Sequence, residues 1–568
     1  MLPKAWCRPA SSSPSTQEYS LPMRRLRFLA LMSALCTIGV ATRVPIRAAA
    51  GASYNDLTAL FTEWRAFQQP RRVNGVPDYS AAAMAAQQQE LTRFVQRLRG
   101  IDPTAWPIPQ QVDYYLVRAE MNGLDFDHRV LKPWVNNPAF YVTAFMDESD
   151  QPAREGPLAA GGVDLWKYPM PVSPADAAAI DTGLRPIPAL LDQARRNLTG
   201  NQKDLWLRGI EAVKGQSADL GRFADLLGSA QPALVDTVRK AKSATDAFSA
   251  WLESNAASRT APSGIGVDNY DWYLKNVQLV PYTWRDETTL MERELARSWA
   301  SLSLEERKNA KLPAQPPIES GPEYDAKAAA ALAEYMAFLK QNAILTVRPY
   351  MEPGLRAHLG RFPRSPREFF SEVDVRDPMV MRTHGFHWFD KGWMAEVGHQ
   401  SPIRKVPLLY NIFNTRTEGF ATAFEELMLE AGMFDARPRS RELIYILVAE
   451  RAARALGDLY MHANRFTLEE ASQFASDNTP RGWLSMKGNL VRGEQHLYLQ
   501  QPAYGTSYVI GKVETDRLIA SRRRQLGDAF TMQRFMDEFT AAGLVPISLL
   551  RWELTGEMPP EVRWMLAR

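Results

Sequence analysis

Residues 232–252 read PALVDTVRKAKSATDAFSAWL, and this stretch decides the class of the fold. Its apolar residues recur every three or four positions, which is the spacing of one face of an α-helix. The stripe consists of Val235, Val238, Ala241, Phe248 and Leu252. Pro232 stands where the first turn of a helix tolerates proline, because the amide N–H at that position has no partner within the helix. We therefore predict a helix over this stretch.

The same spacing continues through the rest of the chain. A second stripe lies in residues 323–347 and consists of Leu332, Tyr335, Met336, Leu339 and Ala343. Residues 418–429 and 441–460 also have helical spacing. Alternation typical of β-strands is scarce and short. The pattern therefore predicts an all-α, or mainly α, protein.

Proline-rich stretches predict long surface connections at residues 153–188 and 312–322. We interpret neither of them as a boundary between independent domains, because helical spacing continues on both sides. A chain of 568 residues can bury a large core. We therefore predict one helical domain over residues 51–568.

The first 50 residues differ from the remainder in charge and composition. They hold seven basic side chains and one acidic side chain, although the formal net charge of the whole chain is only +3. A basic start at residues 23–27 is followed by an apolar run that is too short to span a bilayer, and then by small residues at 48–50. This layout is typical of a secretory signal peptide. Met23 is an alternative start, because polar residues before it fit a signal peptide poorly.

The remainder of the chain is slightly acidic, which argues against a nucleic-acid-binding protein. Both cysteines, Cys7 and Cys36, lie in the segment that we expect to be removed. We predict an exported protein, periplasmic or secreted, without disulfides and without a membrane span after cleavage.

Three of the seven histidines fall in residues 383–400, THGFHWFDKGWMAEVGHQ. His384 and His387 are three positions apart, and so are Glu396 and His399. Side chains at this spacing share one face of a helix. The run therefore predicts that imidazoles and a carboxylate point in a common direction.

Carboxylates follow on the next predicted helix. Glu418, Thr422 and Glu425 share a face of it. Two imidazoles and one carboxylate with an open fourth position make a hydrolytic zinc site. The chain has no uninterrupted H-E-x-x-H motif, so histidines that only close hydrogen bonds in an aromatic-rich core are an open alternative. One E-x-x-H is too little for a dinuclear iron centre.

Several segments, in order, resemble the bacterial "domain of unknown function 885" family, from about Leu57 onwards. They are DYYLVRAEMNGLDFDHRVLKPW (113–134), GIGVDNYDWYLKNVQLVPYT (264–283), EGFATAFEE (418–426), PAYGTSYVIGK (502–512) and FMDEFTAAGLVPISLL (535–550). The resemblance implies a large helical scaffold of the thermolysin or gluzincin peptidase type. It also implies a central cleft, formed by the C-terminal half at about 320–568, and zinc as cofactor.

The chain departs from the family where the chemistry is expected. The family's H-E-x-x-P-G-H falls on residues 393–399, so that Trp393 replaces the first histidine and Met394 replaces the general-base glutamate. Neither side chain can take over these roles. The resemblance leaves His399 and Glu418 as metal ligands. His384 or His387 is then the candidate for the missing imidazole.

The resemblance and the local sequence also nominate the remaining site residues. Glu396 or Glu425 would act as the base, and Tyr508 would donate a hydrogen bond to an oxyanion. Candidate substrate-binding residues are Arg492, His496 and Tyr504. The sequence thus predicts a zinc-dependent, peptidase-like hydrolase with a degenerate or rebuilt metal site, acting on peptides or another small-molecule substrate. The alternative is a catalytically inactive scaffold that binds peptide or another small ligand, with tryptophan rings filling the old metal cavity.

Overall fold

Helices account for nearly all of the regular structure in the computed structural model, which describes residues 52–228, 231–363 and 365–567. The helices of the N-terminal half are α1 (Tyr54–Phe67), α2 (Ala81–Arg99), α3 (Ile108–Phe126), α4 (Pro133–Asn136), α5 (Pro174–Leu184), α6 (Ile187–Asn197), α7 (Lys203–Leu227), α8 (Pro232–Asn255), α9 (Val267–Tyr273) and α10 (Trp284–Lys308). The prediction of an all-α fold is confirmed.

The C-terminal half continues with further helices, which carry the candidate site. They are α11 (Gly321–Gln341), α12 (Met351–Ala357), α13 (Phe369–Asp374), α14 (Pro378–His384), α15 (Phe386–Glu396), α16 (Asn414–Glu430), α17 (Pro438–His462), α18 (Leu468–Asn478), α19 (Leu490–Gln500), α20 (Tyr504–Leu526), α21 (Met532–Ala541), α22 (Ile547–Thr555) and α23 (Pro560–Leu566). Residues Gly51–Arg568 cluster as one compact unit.

The strands are only two residues long. β1 (Arg72–Val73) pairs antiparallel with β2 (Val76–Pro77), and β3 (Ala144–Phe145) pairs parallel with β4 (Val163–Asp164). The second pair matters for the site, because it closes the base of a long loop. No helix among the described residues combines the length and the apolar content of a membrane span. The predicted signal peptide, with both cysteines, lies outside the described residues.

Two predicted helices show how far the apolar stripe determines structure. Helix α8 begins at Pro232 and buries every residue of its predicted stripe. Helix α11 ends at Gln341, earlier than the predicted 347. Ala343 lies beyond its end with a φ of 47°, so the chain has already left the helical conformation there.

The helices that carry the site approach each other unusually closely. Helix α16 packs along α20, and the two backbones meet at Gly419 and Gly511. A Cβ atom added to Gly511 would lie 2.2 Å from the carbonyl oxygen of Thr415. Only glycine therefore permits this crossing, which sets the start of α20 beside Glu418.

Helix α17 lies in the interior, and nearly all of its residues are buried. It carries charged side chains as well as apolar ones, among them Arg451 and Arg454, each about 1% exposed. Buried charges require partners. The charged partner of Arg451 belongs to the candidate site.

Candidate functional site

Three helices bring His384, His387 and Glu418 together. His384 is the last residue of α14. Helix α15 begins directly after Gly385, and His387 lies in its first turn. Glu418 lies in the second turn of α16. We predicted that the two histidines share one helix face. They meet instead across the junction between two helices, with ring centroids 5.0 Å apart.

The nitrogen and oxygen atoms of this cluster converge on one point. The Nε2 atoms of His384 and His387 are 3.4 Å apart, and the Nε2 atom of His387 is 3.4 Å from Oε2 of Glu418. One ligand atom from each of the three residues lies within 4.8 Å of the others. The side chains of His387 and Glu418 are 2% and 5% exposed and that of His384 is 16% exposed, so the cluster is largely buried and reaches solvent on the side of His384.

This geometry fits a tetrahedral zinc ion. Zinc binds imidazole nitrogen and carboxylate oxygen at about 2.0–2.2 Å, which places neighbouring ligand atoms about 3.4 Å apart. Two of the three ligand pairs have this separation. The residues present can therefore hold zinc, with a fourth position left for water or substrate.

A second layer of charge orients His384. Its Nδ1 atom is 2.9 Å from Oε1 of Glu425 and 3.2 Å from Nη2 of Arg451. In the tautomer that donates from Nδ1 to Glu425, the lone pair of Nε2 faces His387. Arg451 donates to both carboxylate oxygens of Glu425, at 2.7 and 2.8 Å. Burial raises the pKa of Glu425, but Arg451 and His384 outweigh it and lower the pKa. Glu425, predicted as a base, is thus placed to orient an imidazole.

Glu418 is held through both of its oxygens. Its Oε1 atom accepts hydrogen bonds from the Tyr504 hydroxyl and, at 2.9 Å, from Nε2 of Gln151. Burial opposes the charged form of Glu418, yet His387 and His384 lower its pKa to about 2. Burial likewise opposes protonation of His387, but Asp150 and Glu418 raise its pKa to about 9. Without metal, the cluster is therefore a buried ion pair.

The sequence reasoning missed the contribution of the loop between β3 and β4. Gln151 reaches the cluster from this loop, and Asp150 acts on the charge of His387. Burial, with Asp150, raises the pKa of Glu155 to about 7, so this carboxyl can gain and lose a proton near neutrality. No spacing signal links the loop to His387, because more than 200 residues separate them.

Two tyrosines at the start of α20 were predicted as site residues. Tyr504 uses its hydroxyl on Glu418, and its ring is 6.0 Å from that of Tyr508. The guanidinium groups of Arg451 and Arg454 lie 5.9 and 5.4 Å from the Tyr508 ring. Burial and Glu418 raise the pKa of Tyr508 well above its ordinary value, so its hydroxyl stays protonated. Its role as a donor stays a prediction.

The structure does not bring His399 or Glu396 to the cluster. Helix α15 ends at Glu396, which is exposed, and Gly398 then turns the chain with a φ of 67°. The predicted common face therefore ends before His399. Its Nδ1 atom accepts a hydrogen bond from the Ser401 amide at 2.9 Å. Burial and the nearby Arg404 lower the pKa of His399 to about 4.

The predicted substrate-binding residues Arg492 and His496 also contact other groups. Arg492 pairs with Glu469, at 2.7 Å, on the surface. The Nδ1 atom of His496 lies 3.2 Å from Nε2 of Gln500, and burial lowers the pKa of this imidazole to about 3. Their positions give no support to substrate binding beside the cluster.

Fold and site together define a class: a large helical protein with a largely buried cluster of two histidines and one glutamate that could hold a metal ion. Residues 387–554 match the family described as "Bacterial protein of unknown function (DUF885)". This match supports the family resemblance inferred from the sequence. It includes His387 and Glu418 but begins just after His384.

Solved structures resemble this fold at low sequence identity. A proposed lipoprotein of unknown function from Shewanella oneidensis has a TM-score of 0.65 and 16% identity, covering 89% of this chain and 100% of its own. A proposed lipoprotein from Colwellia psychrerythraea has a TM-score of 0.58 and 16% identity, covering 90% of this chain and 98% of its own. At such identity the likeness concerns the fold alone. No curated protein matches the sequence.

Proposed function

We propose that the protein is an exported zinc-dependent hydrolase that acts on peptides. His384, His387 and Glu418 would hold the zinc ion, in place of the family's H-E-x-x-P-G-H motif. The observation that carries the proposal is the convergence of the three ligand atoms within 4.8 Å of one another. This ligand set differs from the predicted one, since the second imidazole comes from His384 and not from His399.

The surroundings of the cluster support a metal site over a core that merely contains histidines. Metal-bound histidines usually donate their second N–H to a carboxylate, and Glu425 accepts from His384 in this way. Arg451 balances the charge of that carboxylate. A histidine in a core needs only one hydrogen-bond partner. Here Glu425 and Arg451 orient the ring of His384 so that its Nε2 atom faces the ligand atoms of His387 and Glu418.

Each residue has a distinct part in the proposed reaction. Zinc, when bound, supplies a Lewis acid and lowers the pKa of water. Glu425 orients His384, and Tyr504 holds the carboxylate of Glu418. Tyr508 keeps its proton and can donate a hydrogen bond to a carbonyl oxygen. Burial of the cluster excludes bulk water, which strengthens these interactions.

A catalytically inactive scaffold that binds peptide is the second candidate. It is favoured by one observation, which is that Gln151 fills space beside Glu418 and His387 and donates a hydrogen bond to the Glu418 carboxylate without any ligand. Such a protein would retain the buried ion pair between His387 and Glu418 and would not require zinc for folding.

Export is supported by the signal-peptide pattern in residues 1–50. It is also supported by the two structural neighbours, which are both described as proposed lipoproteins. Fractionation of the native host would test it, and a cytoplasmic location of the mature chain would contradict it.

The test of function is metal content and chelator-sensitive peptidase activity of protein purified without a histidine tag. We expect one zinc per chain, lost in His387→Ala. His399→Ala is the matched control, because it removes an imidazole outside the cluster, and it should keep its zinc. Hydrolysis of a quenched fluorescent peptide pool should stop with the chelator and return with zinc. Fully stable wild-type protein without stoichiometric zinc would exclude the hydrolase and favour the scaffold.

A further inference from the structure

The loop that joins β3 to β4, residues 146–162, covers the cluster. Its two ends are held together by the parallel pairing of β3 with β4, and the amide of Val163 donates to the carbonyl of Thr143 at 2.7 Å. Loops whose ends lie close together are frequently functional. The loop itself is irregular apart from its base.

Gln151 projects from this loop into the cluster and is 2% exposed. Its Oε1 atom accepts from the hydroxyl of Thr417 at 2.7 Å, and its Nε2 atom donates to Oε1 of Glu418 at 2.9 Å. The same Nε2 atom is 3.4 Å from Nδ1 of His387. A hydroxyl that donates and a carboxylate that accepts are together the complement of an amide group. This place beside the metal ligands is thus an amide-binding subsite.

The first half of the loop is fastened to the body of the protein by contacts that are partly exposed to water. Lys391 donates to the carboxylate of Glu148 and, at 2.6 Å, to the carbonyl of Ser149. His358 lies 3.2 Å from the same carboxylate. The side chains of Glu148 and Lys391 are each about one-quarter exposed, and ion pairs in contact with water contribute little to stability. The part of the loop around Glu148 is therefore weakly fastened, whereas the amides of Gly156, Ala159 and Ala160 donate to Gln501, Phe140 and Tyr79 and hold the rest of the loop in place.

The loop has to open before a substrate can reach the cluster. With Gln151 in place, His387 and Glu418 are buried, and the amide subsite is filled by the protein's own side chain. A substrate amide and the Gln151 amide require the same hydrogen-bonding groups. They cannot occupy the subsite together.

We propose that residues 147–155 form a lid, and that Gln151 occupies a subsite that takes a backbone amide of the peptide substrate when the lid opens. The inference rests on the proposed hydrolase function, since it names the group recognised beside the same cluster. Gln151 acts as a tethered competitor, and the contacts of Glu148 set how often the lid is closed. A lid closed about nine-tenths of the time raises the apparent KM about tenfold.

The test compares Gln151→Ala and Lys391→Met with wild type, and uses Gln473→Ala on the exposed face of α18 as the matched control. Two quantities are measured: the KM for a quenched fluorescent peptide, and the rate at which 1,10-phenanthroline removes zinc. We expect Gln151→Ala to lower KM about tenfold and to speed zinc removal. Lys391→Met should change both in the same direction, because it only loosens the lid. Gln473→Ala should match wild type.

Two results would overturn the lid while leaving the hydrolase intact. One is a zinc-bound, active wild type whose KM and zinc-removal rate are unchanged in both variants. The other is a Gln151→Ala variant with a higher KM and less zinc, which would make Gln151 a support of the cluster.

If the wild type binds no zinc, the hydrolase proposal fails, and the lid is judged by hydrogen exchange of residues 147–155 and by binding of N-acetyl-alanine methylamide. Faster exchange in Lys391→Met, together with amide binding that Gln151→Ala strengthens, would uphold it. Unchanged exchange, or equal amide binding by both proteins, would reject it.

Discussion

Glu425→Leu is the substitution that tests the second layer of the site most directly. Glu425 is fully buried and accepts two hydrogen bonds from Arg451, which is 1% exposed, in addition to its contact with Nδ1 of His384. Leucine has a similar volume, so little space is opened, but Arg451 loses its counter-charge.

The magnitude follows from the two contacts that are lost. Removing one partner of a buried ion pair costs about 3–5 kcal/mol, because the other charge remains unpaired. Loss of a carboxylate behind a metal-bound histidine weakens metal affinity about 10–100-fold. We therefore expect Glu425→Leu to lower both the free energy of unfolding and the affinity for zinc.

The double variant Glu425→Leu, Arg451→Met separates the two effects. An apolar pair in place of a buried ion pair is often neutral or stabilising, so the free energy of unfolding in urea should recover. Zinc affinity, measured by competition with a fluorescent chelator, should remain low, because His384 still has no acceptor for its Nδ1 proton. Recovery of zinc affinity along with stability would refute the orienting role of Glu425.

Two further predictions concern other residues. Gly511→Ala should destabilise the protein by about 1–3 kcal/mol in urea denaturation, because its Cβ atom would lie 2.2 Å from the backbone of α16. The control is Gly493→Ala on α19, which has open space around it and should be neutral or stabilising. Equal effects of the two substitutions would contradict the close crossing. Burial raises the pKa of Glu287 from 4.5 to about 8, so the protonated carboxyl stabilises the fold fully below pH 4.5, and this contribution is lost as pH rises to about 8. Glu287→Gln should therefore flatten the dependence of the unfolding free energy on pH between these values, whereas the control Asp286→Asn in the same helix should not. Parallel curves for Glu287→Gln and wild type would refute the assignment.

The extent of prediction from sequence differs between the helices and the site. Helix α8 was predicted with its first residue and its buried stripe, because helix formation depends on neighbours three and four positions away. Helix α17 was also predicted, but its burial on all sides was not. A helix with charged residues facing the interior has the composition of a surface helix, and only its neighbours reveal otherwise.

For the candidate site, spacing and the family resemblance together nominated His384, His387, His399 and Glu418, and the structure brings His384, His387 and Glu418 together. His399 lies apart from them because helix α15 ends at Glu396, and a spacing of three implies a common face only while the helix continues. Gln151 and Arg451 gave no signal at all. Their partners lie far away in sequence, and polar residues of these types are common on surfaces.

The amino-acid sequence by itself determined the helical class of this protein, the positions of four helices (α8, α11, α16 and α17) and three of the residues that cluster. Only the tertiary structure decided which imidazoles meet, which carboxylate orients them and which loop covers them. These features depend on helix ends, on a glycine crossing and on contacts between distant segments, whose energies no local pattern contains.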